Sequence, residues 1–333
     1  MSADGAWPAD RPRLGLCFHR EAPAADVVEQ ARQAERLGYD EFWVIEDCFF
    51  TAGVPLAAAA LVATERLTVG LGIMPAVART AAMTAMEIAT LADLAPGRFH
   101  AGIGHGVQEW MAQMGVRPES PLGALEEVLT AVRGLLAGDE LTTEGRYVTL
   151  DRVALESPPE PRPLVSAGVR GPKSLALSGR CADGTILADF VSPDYVRLAR
   201  SAIDGGAGRA DGHRVTVFAS MAVTPDGDEA RAALAPFLAE VCASAPASLR
   251  HTPFFAELEE RAERDGWLAA VEHLSPERWR TLGAIGTPDD AVDYCRQVHR
   301  AGADTIAVFP DPADPLGDAE RFQELVGSRL RQP

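Results

Sequence analysis

The chain has 333 residues, is 47% hydrophobic and carries a net charge of -17, which supplies a large core and argues against nucleic acid or an anionic membrane as a main partner. No uncharged apolar run reaches the roughly 18 residues of a membrane span, and residues 1–12 lack the basic-then-apolar pattern of a signal peptide. Five scattered cysteines show no paired metal spacing, so no metal is expected and a reducing, cytoplasmic setting is.

Residues 13–18 read as a first strand. Residues 24–37 then place Val27, Val28, Ala31, Ala34 and Leu37 at helical spacing and stop at Gly38, before Asp40 and a second strand at 41–45. A helix at 55–63, a strand at 67–73, a helix at 81–94 and a strand at 98–103 follow. The helices at 55–63 and 81–94 carry few charges on any face, so a second face is expected to be buried, which predicts a homodimer unless the N-terminal arm or the hairpin at 141–155 covers it. After a fourth helix, residues 141–155 read as a hairpin turning at Glu144-Gly145-Arg146. Strands at 163–167, 185–188, 214–221 and 304–309 complete a set of eight. The helix at 289–300 repeats the earlier joint, with Gly302 and Asp304 before its strand. Helix, glycine stop and apolar strand in succession predict a (β/α)8 TIM barrel, an α/β fold read as a single domain over 1–333. Residues 226–282 form a helical insertion between strands seven and eight, a lid or side wall in which Pro236, Pro246, Pro253 and Pro276 are expected to break the helices. A doubly wound sheet is the alternative. It lacks its fingerprint, because Gly102-Ile103-Gly104-His105-Gly106 continues with Val107 and misses the third glycine.

A barrel places its active site at the carboxyl ends of the strands. The stretch Gly168-Val169-Arg170-Gly171-Pro172-Lys173 joins a strand to a helix there and contains the only lysine of the chain. Its glycines allow close backbone approach, Pro172 suits a first helical turn, and Arg170 and Lys173 add charge where free N–H groups already favour an anion. An ordinary turn with two solvated cations is the plainer reading. Other strand ends offer His19, Glu46-Asp47-Cys48, Gly72-Ile73, Gly104-His105-Gly106 and Asp189, and the clustered glycines open room for a broad, flat, phosphorylated cofactor. Glu46-Asp47 also suits a helix cap, and His105 suits a structural hydrogen bond. Cys48 has no sequence-evident histidine partner and reads as a packed thiol, Trp43 as core, and Trp110 and Met111 as a pocket roof or simple packing. No nucleophile elbow or metal-spaced histidine cluster supports a hydrolase.

Six stretches carry a family likeness: Ala34 to Asp40 with Trp43 to Asp47, Thr64 to Leu67 with Gly70 to Ile73, Pro96 to Phe99, Gly102 to Gly106, Gly168 to Pro172, and Ala182 to Gly184. In this order and spacing the chain resembles the bacterial-luciferase-like family of flavin- and deazaflavin-dependent oxidoreductases, most of all the branch with methylenetetrahydromethanopterin reductase and other coenzyme F420 enzymes. The resemblance implies a barrel with an insertion before the last strand, a dimer, and hydride transfer between F420 and a small organic substrate. It places the cofactor phosphate on Gly168 to Lys173, the cofactor beside Gly104, His105 and Gly106, and a non-prolyl cis peptide behind the ring at Gly72-Ile73. Asp47 or Glu46 is then the acid/base, with His19, Cys48, Trp110 and Asp189 on the substrate side. Asp47 stands where histidine is common in the family, which points to a different substrate. An FMN-dependent monooxygenase using reduced flavin and oxygen is the alternative within the family, and a non-catalytic flavin-binding protein the alternative outside it.

Overall fold

The strands expected from sequence pair into a ring. The computed structural model describes residues 11–207, 212–244 and 246–332; the reading of the first ten residues as free of a signal peptide lies outside them. In chain order the strands are β1 (Arg13–Phe18), β2 (Glu41–Ile45), β3 (Thr68–Pro75), β4 (Phe99–Gly104), β5 (Leu141–Glu144), β6 (Thr149–Val153), β7 (Leu164–Gly168), β8 (Gly184–Leu187), β9 (Arg214–Val223), β10 (Ala284–Gly286) and β11 (Thr305–Phe309). Eight of them run parallel in the cyclic order β1-β2-β3-β4-β7-β8-β9-β11, and β11 returns to β1. The closed (β/α)8 barrel is therefore the fold, and the doubly wound alternative falls because no open sheet edge exists between β8 and β9.

Alternation along each strand separates two cores. Outward residues such as Leu14, Leu16, Phe42, Val44, Val69, Leu71 and Ile103 pack beneath the helices, while Cys17, Trp43, Ile45, Ile186, Phe218 and Ala307 form a smaller cluster inside the barrel.

The repeated helix–glycine–aspartate–strand joint has a physical reason. Gly38 ends the helix Val27–Leu37 with φ of 78°, a conformation that disfavours other residues. The aspartate at three such joints reaches the neighbouring strand, after a glycine stop for Asp40 and Asp304 and after a helix that ends at Ala182 for Asp183. Asp40 accepts the Leu14 N–H at 2.9 Å and pairs with Arg11; Asp183 accepts the Val165 N–H at 3.0 Å and pairs with Arg133 and Arg162; Asp304 accepts the Val215 N–H at 2.8 Å and pairs with Arg200. Burial raises the affinity of Asp40 and Asp183 for a proton, but these guanidinium and N–H donors outweigh it and hold both carboxyls below the ordinary range.

β5 and β6 form the expected antiparallel hairpin, seated on the helix Pro121–Leu136 that Ser120 caps by accepting the Gly123 N–H. The insertion departs from expectation in one respect. Pro236 lies inside the helix Gly227–Ser244 without breaking it. Its missing N–H removes one helical bond, and burial of Leu238, Ala239 and Cys242 in the insertion's own core keeps the chain helical beyond it. Pro246 and Pro276, by contrast, stand at the starts of the helices Ala247–Arg250 and Pro276–Trp279, and Phe255–Asp265 and Trp267–Glu272 lie between. The three-residue β10, which extends the sheet beside the end of β9, has no forerunner in the sequence reading because a run that short carries no periodicity. Among the described residues no helix is long and apolar enough to cross a membrane.

Candidate active site

A cavity of about 1190 Å3 opens at the carboxyl ends of the strands. Its floor is made possible by glycine. The Gly72-Ile73 peptide is cis. The register between β3 and β4 shifts between Leu71 and Met74, and the Ile73 side chain packs against Gly102, Gly104 and Gly168. A Cβ added at Gly104 would fall 2.5 Å from Ile73 Cδ1 and 2.7 Å from the Gly168 carbonyl; one at Gly168 would fall 2.6 Å from Ile73 Cγ2. At Gly72 it would meet the Phe218 ring at 2.7 Å. These three positions thus accept no side chain because Ile73 and Phe218 fill the space beside them, and the bed they make room for is the Ile73 side chain, bordered by Ile186, Phe218 and Phe309.

One side of the bed is cationic. Gly171 precedes the helix Pro172–Cys181, and Leu175 is the first residue whose N–H bonds within it, to the Gly171 carbonyl at 2.8 Å. The Lys173 and Ser174 N–H groups therefore point out of the helix start, where Arg170 is exposed and Lys173 has no ion pair among the described residues. His105 braces this loop. Its Nδ1–H donates to the Pro121 carbonyl at 3.2 Å, which leaves Nε2 to accept the Ser174 hydroxyl at 3.0 Å. Burial lowers its pKa, so the ring is kept neutral in this role.

The opposite side carries His19, Arg20, Glu21, Asp47 and Pro310. His19 donates through Nε2 to the Pro310 carbonyl at 2.6 Å. Asp47 faces the cavity and accepts from Arg20 Nη1 at 2.7 Å, while Arg20 Nε donates to Glu21 at 2.7 Å and its guanidinium lies 4.7 Å from the Phe50 ring centre. The wall between the two sides comes from the insertion, through Leu234, Phe237 and Val241.

A family model described as luciferase-like monooxygenase matches residues 11–305. The chain belongs to this luciferase-like family. A 5,10-methylenetetrahydromethanopterin reductase of Archaeoglobus fulgidus is 24% identical over 331 residues, 96% of this chain and 98% of that one. An F420-dependent glucose-6-phosphate dehydrogenase of Microbacterium testaceum is 28% identical over 322 residues, 89% of each. The solved coenzyme F420 dependent tetrahydromethanopterin reductase from Methanopyrus kandleri superposes with a TM-score of 0.77 at 21% identity, covering 96% of this chain and all of the other, a likeness of fold.

In this luciferase-like barrel the structure brings together Gly72, Ile73, His105, Gly106, Gly168, Val169, Arg170, Gly171, His19, Asp47 and Asp189 around one cavity, with Gly104 directly beneath Ile73. Pro172 and Lys173 sit one step outside its lining, on the exposed helix start. Glu46 points elsewhere. Its carboxylate accepts Arg79 Nη1 at 2.6 Å and Nη2 at 3.0 Å and the Gly53 N–H at 2.9 Å, so it anchors the helix Gly53–Ala63. Cys48 borders a smaller hollow with Glu46 and Arg79, and burial together with Glu46 and Asp47 pushes its thiol pKa up, away from nucleophilic character. Trp110 stands on the helix Gln108–Gln113 outside the cavity lining, and Met111 packs under Gly106. Trp43 is core: fully buried, edge-on to His100 and Phe218, its indole N–H on Glu41 at 2.8 Å. Sequence reasoning missed Ser174, Arg20 and the trio Ile186, Phe218 and Phe309. Period-two counting from Gly184, Thr216 and Thr305 does place all three of that trio inward.

Proposed function

We propose that this protein is an oxidoreductase that transfers a hydride between coenzyme F420 and a small organic substrate. The observation that carries the reading is the Ile73 bed, for which Gly72, Gly104 and Gly168 make room, lying directly beside the Arg170 loop, a cradle for a flat ring with a phosphate at one edge. The F420 dependence of full-length relatives supports the choice of cofactor. Once bound, the deazaflavin supplies the hydride chemistry. Arg170, Lys173 and the N–H groups at the helix start hold its phosphate, and neutral His105 fixes the Ser174 hydroxyl beside them. Ile186, Phe218 and Phe309 exclude water beneath the ring. Asp47 gives or takes the proton at the substrate's heteroatom as the hydride reaches or leaves the carbon, with Arg20 orienting its carboxylate; Glu46, occupied by Arg79, is its support.

The assembly belongs to the same reading. Val62, Met83, Met86 and Leu94 stay exposed on the helices Gly53–Ala63 and Ala81–Leu94, and the β5–β6 hairpin packs on a different helix, so a second copy is the expected cover. Light scattering at micromolar concentration should give twice the chain mass; the mass of one chain would remove the dimer. For the cofactor, ring fluorescence during titration with F420 and with FMN separates the family's two chemistries. F420 is expected to bind at micromolar concentration or below, with FMN at least about ten-fold weaker; the reverse order would replace this reading with flavin monooxygenation.

A further inference from the structure

Two residues beside the cationic loop have an uncommon backbone. Asp189 and Phe190, which follow β8, hold φ of 69° and 54°, a region that non-glycine residues enter only when their surroundings fix them. Those surroundings belong to the insertion. The Phe190 ring is buried in the insertion's core with Leu238, Cys242 and Leu249. Ser248, buried at the start of Ala247–Arg250, donates its hydroxyl to the Asp189 carbonyl at 2.6 Å.

From there the contacts lead back to Arg170. The Asp189 carboxylate pairs with the Arg170 guanidinium. Tyr195, on the helix Pro193–Ala207, donates its hydroxyl to the Arg170 carbonyl, and its ring stacks on His251 of the insertion at 5.9 Å and 21°. Arg170 is thus held at its backbone by Tyr195 and at its side chain by Asp189, and the insertion touches both, through His251 and Ser248.

We propose that Ser248 and Tyr195 are positioning residues for anion capture, tying the insertion to the loop so that Arg170 is presented to the cofactor phosphate before the cofactor arrives. The inference rests on the reading of residues 168–173 as the phosphate loop. An exposed arginine samples many rotamers, and ordering it in advance removes an entropic cost that binding would otherwise carry. Without the Ser248 hydroxyl the left-handed Asp189 loses a restraint, its carboxylate moves, and Arg170 is released. Linkage requires the converse: phosphate on Arg170 stabilises residues 247–251.

The test is a ratio measured on the full chain. Wild type, Ser248→Ala and Tyr195→Phe are titrated with F420 and with the same deazaflavin lacking its phosphate arm. Wild type is expected to favour F420 by about ten-fold or more. Each variant should lower that preference about five-fold while binding the phosphate-free ring within about two-fold of wild type. A purely structural role weakens both ligands equally, and an unchanged ratio overturns the proposal. No preference in wild type overturns the phosphate-loop reading itself, and this inference with it. Should Ser248→Ala not fold, Tyr195→Phe, which lacks a single oxygen, gives the same ratio. In wild type, slower hydrogen exchange at residues 247–251 with F420 but not with the phosphate-free ring is the supporting outcome; equal slowing by both contradicts it.

Discussion

The eight strands that build the barrel present interlocked polar side chains at their amino ends and a cavity at their carboxyl ends. At the amino ends, fully buried Glu41 accepts from Arg13 at 2.9 Å, the Trp43 indole at 2.8 Å and the Thr305 hydroxyl at 3.0 Å. His100 meets Ser166 at 2.7 Å and His213 meets Thr185 at 2.8 Å, and three aspartate–arginine joints pin neighbouring strands. At the carboxyl ends Gly72, Gly104 and Gly168 make room for Ile73 and Phe218, and the charged groups line a cavity instead of filling it. The difference separates stability from function along one axis: the closed end fixes the strands so that the open end can keep a cavity.

Removing the closed end's central carboxylate is the harshest way to break this comparison. Glu41→Ala strands the Trp43 N–H and the Thr305 hydroxyl in the barrel and takes a carboxylate partner from Arg13, and should lower unfolding free energy by about 3–5 kcal/mol in a denaturant titration. A loss below about 1 kcal/mol would mean that the network is decoration. Acid gives the next largest effect. Burial lowers the pKa of His100 and of His213 from 6.5 to about 4. Both rings bind a proton more readily unfolded than folded, so their contribution is complete above pH 6.5 and is lost as pH falls towards 4. On the order of 3 kcal/mol for each ring should disappear across that window, followed below about pH 3.8 by the share of Asp40 and Asp183, whose carboxyls are held low. A melting temperature that stays flat from pH 7 to 4 would refute the assignment.

The open end predicts the opposite pattern, activity lost with the fold intact. Asp47→Asn should cut turnover about 100-fold and leave the melting temperature within a degree or two, because the carboxylate's one side-chain partner is Arg20 at the cavity edge. Unchanged turnover would remove Asp47 from the proton transfer.

The two ends also differ in how they showed in the sequence. The closed end was legible because its signals are local: Gly38-Tyr39-Asp40 and Gly302-Ala303-Asp304 mark a helix stop and a strand start within a few residues, and the eight strands followed from them. At the open end, glycines and the Arg170 loop were legible for the same reason. What stayed hidden depends on long-range partners. Glu46 and Asp47 are adjacent in sequence, yet just past the end of β2 one turns towards Arg79 and the other towards the cavity. Ser174 matters because His105, 69 residues earlier, reaches it. Pro236 reads as a breaker until the insertion's core is seen to hold its helix together.

The central claim is that the cationic loop at the open end captures the phosphate of a flat cofactor. Calorimetric titration of F420 into wild type and Arg170→Ala tests it most directly. The account predicts that the variant, with an unchanged melting temperature, binds about ten-fold or more weakly, the worth of a charge-assisted contact. Equal affinity in the two proteins would contradict it.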